Sequence, residues 1–349
     1  MCVAVLLVML VAAELMLRLF LPVYFTGYVG AYQYDAEVGA ILKPGGHHLK
    51  TTDYQQEIFT NTLGTVNFER DFSGYRRKIF AIGDSFTQGT GLPADASYPF
   101  QLNLQLNMRE GVYRMEYAVI NLGLSAFGSE QATRMLQRYA ARIGKPDYIL
   151  YLGCNNDYMD DIKFRKGLKH RHLIEGNPYW GILLKPLMWF KNDTEIGKRF
   201  YFAVDRIRLA RLERQDLQER GTQPENQERR EPEGAPAGSV AFLHQPALDR
   251  VLALSREMDA TLIVSWANWQ SGGDGDYAHV QNWARANGVA FADYQPAVRS
   301  VVDSIPGLPL SNPHSGGHYR TWANALIAQA FANCITGPEP IEARSDDTP

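Results

Sequence analysis

The sequence feature that most constrains the fold is a short apolar run, Lys78 to Ile82, that ends at Gly83 and continues into Asp84 and Ser85. The run has the length and composition of a buried strand, and the glycine marks the turn after it. Open α/β sheets place their chemistry at the carboxyl ends of parallel strands. The run therefore predicts a strand with a candidate nucleophile on the following loop, although an ordinary turn between strand and helix could have the same sequence.

Alternating strand and helix patterns along the rest of the chain predict the fold class. Strands separated by helices indicate βαβ units, and continuous apolar strands indicate burial on both faces. We therefore expect an α/β protein, a three-layer α/β/α sandwich with a flavodoxin-like parallel sheet of about five strands. The expected strands lie near 78–83, 116–121, 147–153, 260–265 and 289–292, and the expected helices near 97–109, 129–143, 244–258, 276–287 and 319–333.

Charge and cysteine content exclude several classes of function. The formal net charge is −3, from 35 Lys and Arg against 38 Asp and Glu, which offers no electrostatic basis for a nucleic-acid partner. The three cysteines, Cys2, Cys154 and Cys334, are too few and too scattered for a disulfide framework or a zinc site. No cluster of Cys and His has the spacing of metal ligands, so the sequence predicts neither a metal nor a cofactor.

The N-terminal segment, residues 1–25, is apolar except for Glu14 and Arg18, which are spaced to pair on one helix face. About 20 apolar residues cross a bilayer core. A cleaved signal peptide would begin with basic residues and end in a small-residue cleavage site, and neither is present. The sequence therefore predicts one N-terminal transmembrane helix, with the rest of the chain periplasmic or otherwise extracytoplasmic. An amphipathic or buried helix is the alternative.

Composition divides the rest of the chain. Residues 26–75 are polar and rich in Gly and Tyr, and we expect a lead-in to the main domain, 76–336. An insert at 160–240 begins with basic and aromatic residues, which could form a lid, rest on a membrane or cap the sheet. Within the insert, 216–238 has almost no large apolar residue and is predicted to be disordered. The Pro- and acid-rich tail, 337–349, is also predicted to be disordered.

Three further motifs stand where strands end or the last helix begins. Gly123 follows the second expected strand, Asn156 and Asp157 follow the third, and His318 directly precedes the last helix. With Ser85, these residues resemble, in kind and order, the four sequence blocks of the SGNH, or GDSL-type, hydrolase family. The resemblance covers about residues 76–334, interrupted by the insert. It implies the same fold and hydrolysis of esters without a metal or cofactor.

The resemblance implies that Ser85 is the nucleophile and His318 the base. A serine is a weak nucleophile without an adjacent base, and histidine is the usual base because its pKa lies near working pH. Of the two nearby histidines, His318 is preferred to His314. It stands directly before the last helix, as the base does in the family.

The resemblance also implies three donors for an oxyanion hole, which stabilises the negative oxygen formed during acyl transfer. These are the backbone N–H groups of Ser85 and Gly123 and the side-chain amide of an asparagine. Asn155 and Asn156 both remain candidates. Asn156 is preferred because the family asparagine directly precedes its aspartate, here Asp157.

The chain departs from the family pattern three residues before His318, where Ser315 stands in place of an aspartate. In dissected triads, spoiling this acid lowers turnover by ~10⁴. Three alternatives remain. Serine and histidine could work as a dyad, a backbone carbonyl or Ser315 could orient the imidazole, or Asp303 could reach it from the preceding loop.

Together these features predict a membrane-anchored serine hydrolase acting on ester bonds of a small acyl ester, a lipid or an acetylated glycan. One alternative is an O-acetyltransferase or deacetylase acting on cell-surface polysaccharide, in which Trp266 and Trp269 could stack on a sugar, although both could equally be packing residues. A second alternative is a non-catalytic scaffold that keeps the fold, which only the missing aspartate favours.

Overall fold

The structure is a computed structural model, and it describes most of the main domain. The described residues are 2–20, 32–50, 56–67, 71–109, 111–158, 160–161, 164–165, isolated positions between 186 and 207, 244–267, 274–312 and 317–337. Most of the predicted insert, its predicted disordered part 216–238 and tail residues 338–349 lie outside this set. The predicted domain limits therefore stay predictions.

The N-terminal helix α1, Cys2–Phe20, exposes nearly all of its described side chains, including the apolar ones. Glu14 pairs with Arg18 at 2.7 Å, as the spacing predicts, and its carboxylate accepts hydrogen bonds from the backbone N–H groups of Glu195 and Ile196. In the part of the chain that the structure describes, no helix combines the length and apolarity needed to cross a membrane. The predicted transmembrane helix over 1–25 is therefore not supported.

The lead-in contains two small antiparallel sheets. One pairs β1, Tyr32–Asp35, with β2, Gly39–Leu42, and the other pairs β3, His47–Lys50, with β4, Gln56–Phe59. Both sheets contact the main domain. Arg138 forms an ion pair of 2.7 Å with Asp35, and the buried amide of Gln56 donates to the backbone oxygen of Gly89. The lead-in is thus packed against the loop that carries Ser85.

The central sheet consists of five parallel strands. They are β5 Arg77–Gly83, β8 Tyr117–Asn121, β9 Tyr148–Cys154, β10 Thr261–Ala267 and β11 Ala290–Phe291; the strands β6 Met108–Arg109 and β7 Val112–Tyr113 form a separate short hairpin. The order across the sheet is β8-β5-β9-β10-β11. This is the flavodoxin-like order, in which the chain changes direction between β5 and β9. The predicted α/β fold with a five-stranded parallel sheet is confirmed.

The helices cover the sheet. They are α2 Ser85–Gln88, α3 Tyr98–Asn107, α4 Ser129–Ile143, α5 Gln245–Met258, α6 Asp274–Ala286, α7 Gln295–Ser304 and α8 Thr321–Thr336. Helix α3 packs on α8, and α4 packs on α5. All of β8, and all but the first residue of β9 and β10, are buried, as strands covered on both faces should be. The sequence did not predict α7, in which only Val298 is buried.

Candidate active site

Ser85 lies at the carboxyl end of β5, next to the point where the strand order reverses. Gly83 has a φ of +152°, and a Cβ at this position would overlap Oγ1 of Thr87 and the backbone oxygen of Leu152. Only glycine fits this close approach. Asp84 then caps α2, because its Oδ1 accepts a hydrogen bond of 2.9 Å from the Phe86 N–H. The serine is thereby fixed as the first residue of a one-turn helix.

His318 stands before α8 on a segment held by strand-like backbone pairing. The backbone oxygen of His318 accepts from the Asn312 N–H at 2.9 Å, and Ser311 forms a β-bridge with Tyr319. The Asn312 amide also donates to the backbone oxygen of Gly91, in the loop after α2. These contacts tie the histidine segment to the loop that follows the serine.

The structure brings together the serine and histidine that the sequence singled out. Nε2 of His318 lies 2.6 Å from Oγ of Ser85, although the two residues are 233 positions apart in the chain. This is a hydrogen-bonding distance for a nucleophile and its base. Ser85 is only 7% exposed and His318 is half-buried, so the pair lies in a recess with limited access to water.

The Asp84 carboxyl is a second neighbour of the serine hydroxyl, with its Oδ2 3.3 Å from Oγ. Burial raises the pKa of Asp84 to about 7, and the nearby charge of Asp160 also raises it, while hydrogen bonds from the Phe86 N–H and the Ser85 hydroxyl lower it. The site therefore places a partly protonated acid beside the candidate nucleophile near neutral pH.

Asp157 extends this buried acidic group. Its Oδ2 accepts hydrogen bonds from the Tyr151 hydroxyl at 2.9 Å and from the Cys154 N–H at 3.3 Å. Burial raises the pKa of Asp157 well above its usual range, and the charge of Asp84 adds to the effect. Two buried carboxyls that interact are costly to ionise together. We therefore expect at least one proton to stay on this pair at neutral pH.

Two of the three expected oxyanion donors, the Gly123 N–H and the Asn156 amide, have internal partners in this structure. The Gly123 N–H donates to Oδ1 of Asn121 at 3.0 Å. A Cβ on Gly123 would lie 2.5 Å from the backbone nitrogen of Gln88 and from Cβ of Thr87, so this glycine lets β8 approach α2 closely. The glycine thus has a packing role here. Its N–H would have to leave Asn121 to bind another oxygen.

Both candidate asparagines follow β9. The Asn156 amide donates to Oδ2 of Asp160 at 2.8 Å, and its Oδ1 is buried without a hydrogen-bond partner among the described residues. Oδ1 of Asn155 lies 3.3 Å from the Cys154 sulfur. The assignment of the amide donor to Asn156 stays a prediction, and the contact with Asp160 is what that donor would have to give up.

None of the described contacts of His318 comes from a residue proposed to replace the missing aspartate. Asp303 lies in the last turn of α7 and its side chain is exposed. Ser315 and His314 lie outside the described residues. One side chain that does contact the His318 ring is Phe86, at a centroid distance of 4.9 Å.

Trp266 does not fit the expectation that the two tryptophans stack on a sugar. Trp266 is 0% exposed, so its ring cannot stack on a ligand; it packs against the ring of His244 at 4.7 Å. The burial of Trp266 agrees with the alternative that this tryptophan is a packing residue. Trp269 lies outside the described residues.

One feature near the site had no signal in the sequence. Ala126 has a φ of +62° in the turn that follows β8, where the Phe127 N–H donates to the backbone oxygen of Leu124. This conformation is unfavourable for alanine and usually occupied by glycine or asparagine. Gln88 supports the turn, since its Oε1 accepts from both the N–H and the hydroxyl of Ser125. An alanine gives no sequence indication of such a turn.

The described residues hold no group of three or more His, Cys, Asp or Glu side chains arranged to bind a metal ion. The two described cysteines outside α1, Cys154 and Cys334, are free thiols. Burial raises the pKa of both, so neither is prepared to act as a thiolate.

No family model matches this chain, and no curated protein matches it. Solved structures similar to it include a member of the lipolytic G-D-S-L family from Veillonella parvula, with 10% identity over 74% of this chain and 97% of the other, and a TM-score of 0.40. An alpha/beta hydrolase from the metagenome of Lake Arreo, Spain, has 16% identity over 77% and 99%, and a TM-score of 0.43. An acetyl xylan esterase from Geobacillus stearothermophilus has 15% identity over 77% and 99%, and a TM-score of 0.40.

The first of these proteins is a member of the family that the sequence motifs resemble. Because all three TM-scores are below 0.5, we assign the fold from the chain's own strand order and the site from its own contacts.

Proposed function

We propose that this chain is a serine hydrolase that cleaves ester bonds. The observation that carries the proposal is the distance of 2.6 Å between Oγ of Ser85 and Nε2 of His318. The pair lies at the carboxyl edge of the sheet, beside the β5–β9 switch point where open α/β sheets bind ligands. A serine hydroxyl in contact with an imidazole is the arrangement that nucleophilic acyl transfer requires.

The reaction would proceed in two halves. Ser85 Oγ attacks the ester carbonyl carbon while neutral His318 takes the hydroxyl proton, and the protonated imidazole then donates that proton to the departing alcohol. Water next attacks the acyl-serine carbonyl and gives a proton to His318. Cleavage of the bond to Oγ returns this proton to Ser85 and releases the carboxylic acid.

The proposed oxyanion donors are the N–H groups of Ser85 and Gly123 and the Asn156 amide. In the described part of the chain, the Ser85 N–H has no hydrogen-bond acceptor. The other two donors must exchange Asn121 and Asp160 for the substrate oxygen. We therefore expect the complete oxyanion hole to form only when the substrate binds.

The test is hydrolysis of p-nitrophenyl acetate by the full chain. Ser85→Ala and His318→Ala should each lower kcat by about 10³-fold or more, because each removes one member of the reacting pair. Ser304→Ala and His279→Ala are matched controls at exposed positions and should leave kcat unchanged. Equal rates for the parent and Ser85→Ala would refute the proposal, and an inactive parent would favour a scaffold.

The two asparagines can be separated by the same assay. Loss of one oxyanion donor costs about 10²- to 10³-fold in kcat. Asn156→Ala should show this loss and Asn155→Ala a smaller one. The reverse ranking would move the amide donor to Asn155.

Water and a sugar hydroxyl can both accept an acyl group from an acyl-serine. Product analysis with an added sugar acceptor distinguishes hydrolysis from transfer. Free acetate as the product supports a hydrolase, whereas an acetylated sugar would show that the chain is a transferase.

We also propose that the chain works at a membrane, with α1 in contact with lipid. The support is the exposure of apolar side chains on this helix, among them Val8, Met9, Leu19 and Phe20, each more than 60% exposed. A helix with this much apolar surface gains free energy when lipid covers it. The test of lipid contact is flotation of the full chain with phospholipid vesicles. The comparison is a double variant that carries both Val8→Glu and Leu19→Glu. Equal flotation of parent and variant would contradict it.

A further inference from the structure

We infer that the ring of Phe86 positions the imidazole of His318 and stabilises its protonated form during acyl transfer. The inference rests on the proposed function and assigns Phe86 the role of a positioning residue. It gives one physical answer to the question that Ser315 raises, namely what holds the imidazole where the family places an aspartate.

The geometry of three aromatic rings supports the inference. The Phe86 and His318 rings have centroids 4.9 Å apart and planes tilted by 40°. The same Phe86 ring and the Tyr319 ring form a T-shaped contact, with centroids 5.0 Å apart and planes at 67°. Phe86 is only 5% exposed, so its ring is enclosed and offers His318 a fixed surface. The phenylalanine therefore contacts both the base and the residue that follows the base.

The backbone links this ring to the nucleophile. Phe86 directly follows Ser85 in α2, and its N–H is held by Oδ1 of Asp84 at 2.9 Å. Serine and phenylalanine therefore have a common anchor. A movement of the Phe86 backbone relative to His318 would therefore also change the distance between the nucleophile and its base.

Tyr319, which contacts the Phe86 ring, is held in place by buried hydroxyl groups. The Tyr319 and Tyr294 hydroxyls are 3.2 Å apart, and the Tyr294 hydroxyl donates to the backbone oxygen of Trp266 at 3.0 Å. Tyr319 is buried beside the central sheet and cannot move away from Phe86 without breaking these contacts. The imidazole is thus attached to a segment that is held from both sides.

The chemistry of the proposed reaction gives the contact a second effect. His318 gains a proton when Ser85 attacks, and an aromatic ring within about 6 Å attracts a cation through its negative π face. The attraction is greater for the imidazolium than for the neutral imidazole. Phe86 therefore favours the state that forms as the nucleophile is deprotonated, without accepting a proton itself.

The experiment compares Phe86→Leu with the parent, because leucine keeps an apolar side chain but removes the ring. The kcat for p-nitrophenyl acetate should fall by about 2- to 30-fold, the range that a ring–cation contact allows, with a smaller change in KM. The NMR titration midpoint of the His318 imidazole should also move to lower pH, since the protonated form loses a favourable contact. Phe86→Tyr, which keeps the ring, should restore both properties.

The matched control is Phe331→Leu. Phe331 is also fully buried and stacks on a ring, that of Tyr98 at 5.4 Å, but it lies in α8 away from the histidine. We expect it to lower stability while leaving kcat and the His318 titration unchanged. Equal effects of Phe86→Leu and Phe331→Leu on kcat and titration would overturn the inference.

A measurement on the unaltered protein covers the case in which Phe86→Leu does not fold. Nuclear Overhauser contacts between the ring protons of Phe86 and His318 support the inference, and their absence would contradict it. Failure of the proposed function is a separate result. In that case Ser85→Ala and the parent hydrolyse the ester equally, whereas the titration and the ring contacts still report on Phe86.

Discussion

The two sides of the candidate site are held in place by different forces. On the serine side, a glycine with no room for a side chain and the buried carboxyl of Asp84 fix the turn around Ser85, and the buried carboxyl of Asp157 accepts a hydrogen bond from Tyr151 on the neighbouring strand. On the histidine side, ring contacts from Phe86 and the hydroxyls of Tyr319 and Tyr294 fix His318.

The difference matters because the two forces respond differently to conditions. Buried carboxyls change charge with pH, and their free energy in the folded protein changes with it. The neutral hydroxyls of Tyr294 and Tyr319 have no such dependence across ordinary pH. We therefore expect the buried carboxyls to make stability on the serine side depend on pH, whereas these hydroxyl contacts on the histidine side contribute a constant stability.

The largest expected effect comes from Gly83→Ala, on the serine side. A methyl group there would overlap Thr87 and the Leu152 backbone at a φ that favours glycine, so the free energy of unfolding should fall by about 3 kcal/mol. Urea denaturation measures this. Gly307→Ala is the control, since Gly307 also has a positive φ, +83°, but has open space around it. Similar losses in both variants would show that strain in φ, not the close approach, is responsible.

A smaller effect is expected on the histidine side from Tyr294→Phe. The change keeps the ring but leaves the buried oxygen of Trp266 without this donor, so the free energy of unfolding should fall by about 1–2 kcal/mol. The loss should be the same at pH 5 and pH 8. Tyr277→Phe is the control, because the Tyr277 hydroxyl bonds to Asp293, whose exposed side chain can bond to water instead. A loss for Tyr294→Phe no larger than for the control would weaken the assigned role of the hydroxyl pair.

Asp84→Asn should have the smallest effect on the free energy of unfolding at acidic pH. This effect should grow as the pH rises. Asparagine keeps an oxygen for the Phe86 N–H but cannot ionise. Because the folded protein raises the pKa of Asp84 from 3.8 to about 7, the folded state holds a proton that the unfolded state has lost between these values. Stability of the parent should therefore fall as pH rises through this window, and Asp84→Asn should not share this fall.

The measurement for Asp84→Asn is urea denaturation at several pH values between 4 and 8. The difference in unfolding free energy between variant and parent should move in favour of the variant as pH rises and become constant above about pH 7. The exposed acid Asp303, changed to Asn, is the control. A difference that does not vary with pH would show that Asp84 keeps its charge in the folded protein throughout.

Much of the fold could be predicted from the sequence because the strands around Ser85 and Asn156 are continuous apolar runs bounded by glycine. The resemblance to the SGNH family singled out Ser85 and His318 as a pair, and the structure places them in contact. Helix α7 was not predicted from the sequence, and only one of its residues, Val298, is buried.

The finer parts of the site depend on contacts that no local pattern encodes. The ring contact between Phe86 and His318 joins residues more than 200 positions apart, and the turn at Ala126 occupies a conformation that its sequence does not suggest. The contact between Asn156 and Asp160 depends on the rotamer of the amide, which a motif cannot specify. The burial of Trp266 likewise follows from its place in a central strand and not from its residue type.

The central claim is that Ser85 is a nucleophile activated by His318, and the most direct measurement is labelling of the full chain with a fluorophosphonate. The account predicts one adduct, located on Ser85 by peptide mass spectrometry, with loss of ester hydrolysis in step with labelling and slow or absent labelling in His318→Ala. An unlabelled Ser85 in a chain that still hydrolyses p-nitrophenyl acetate would contradict it.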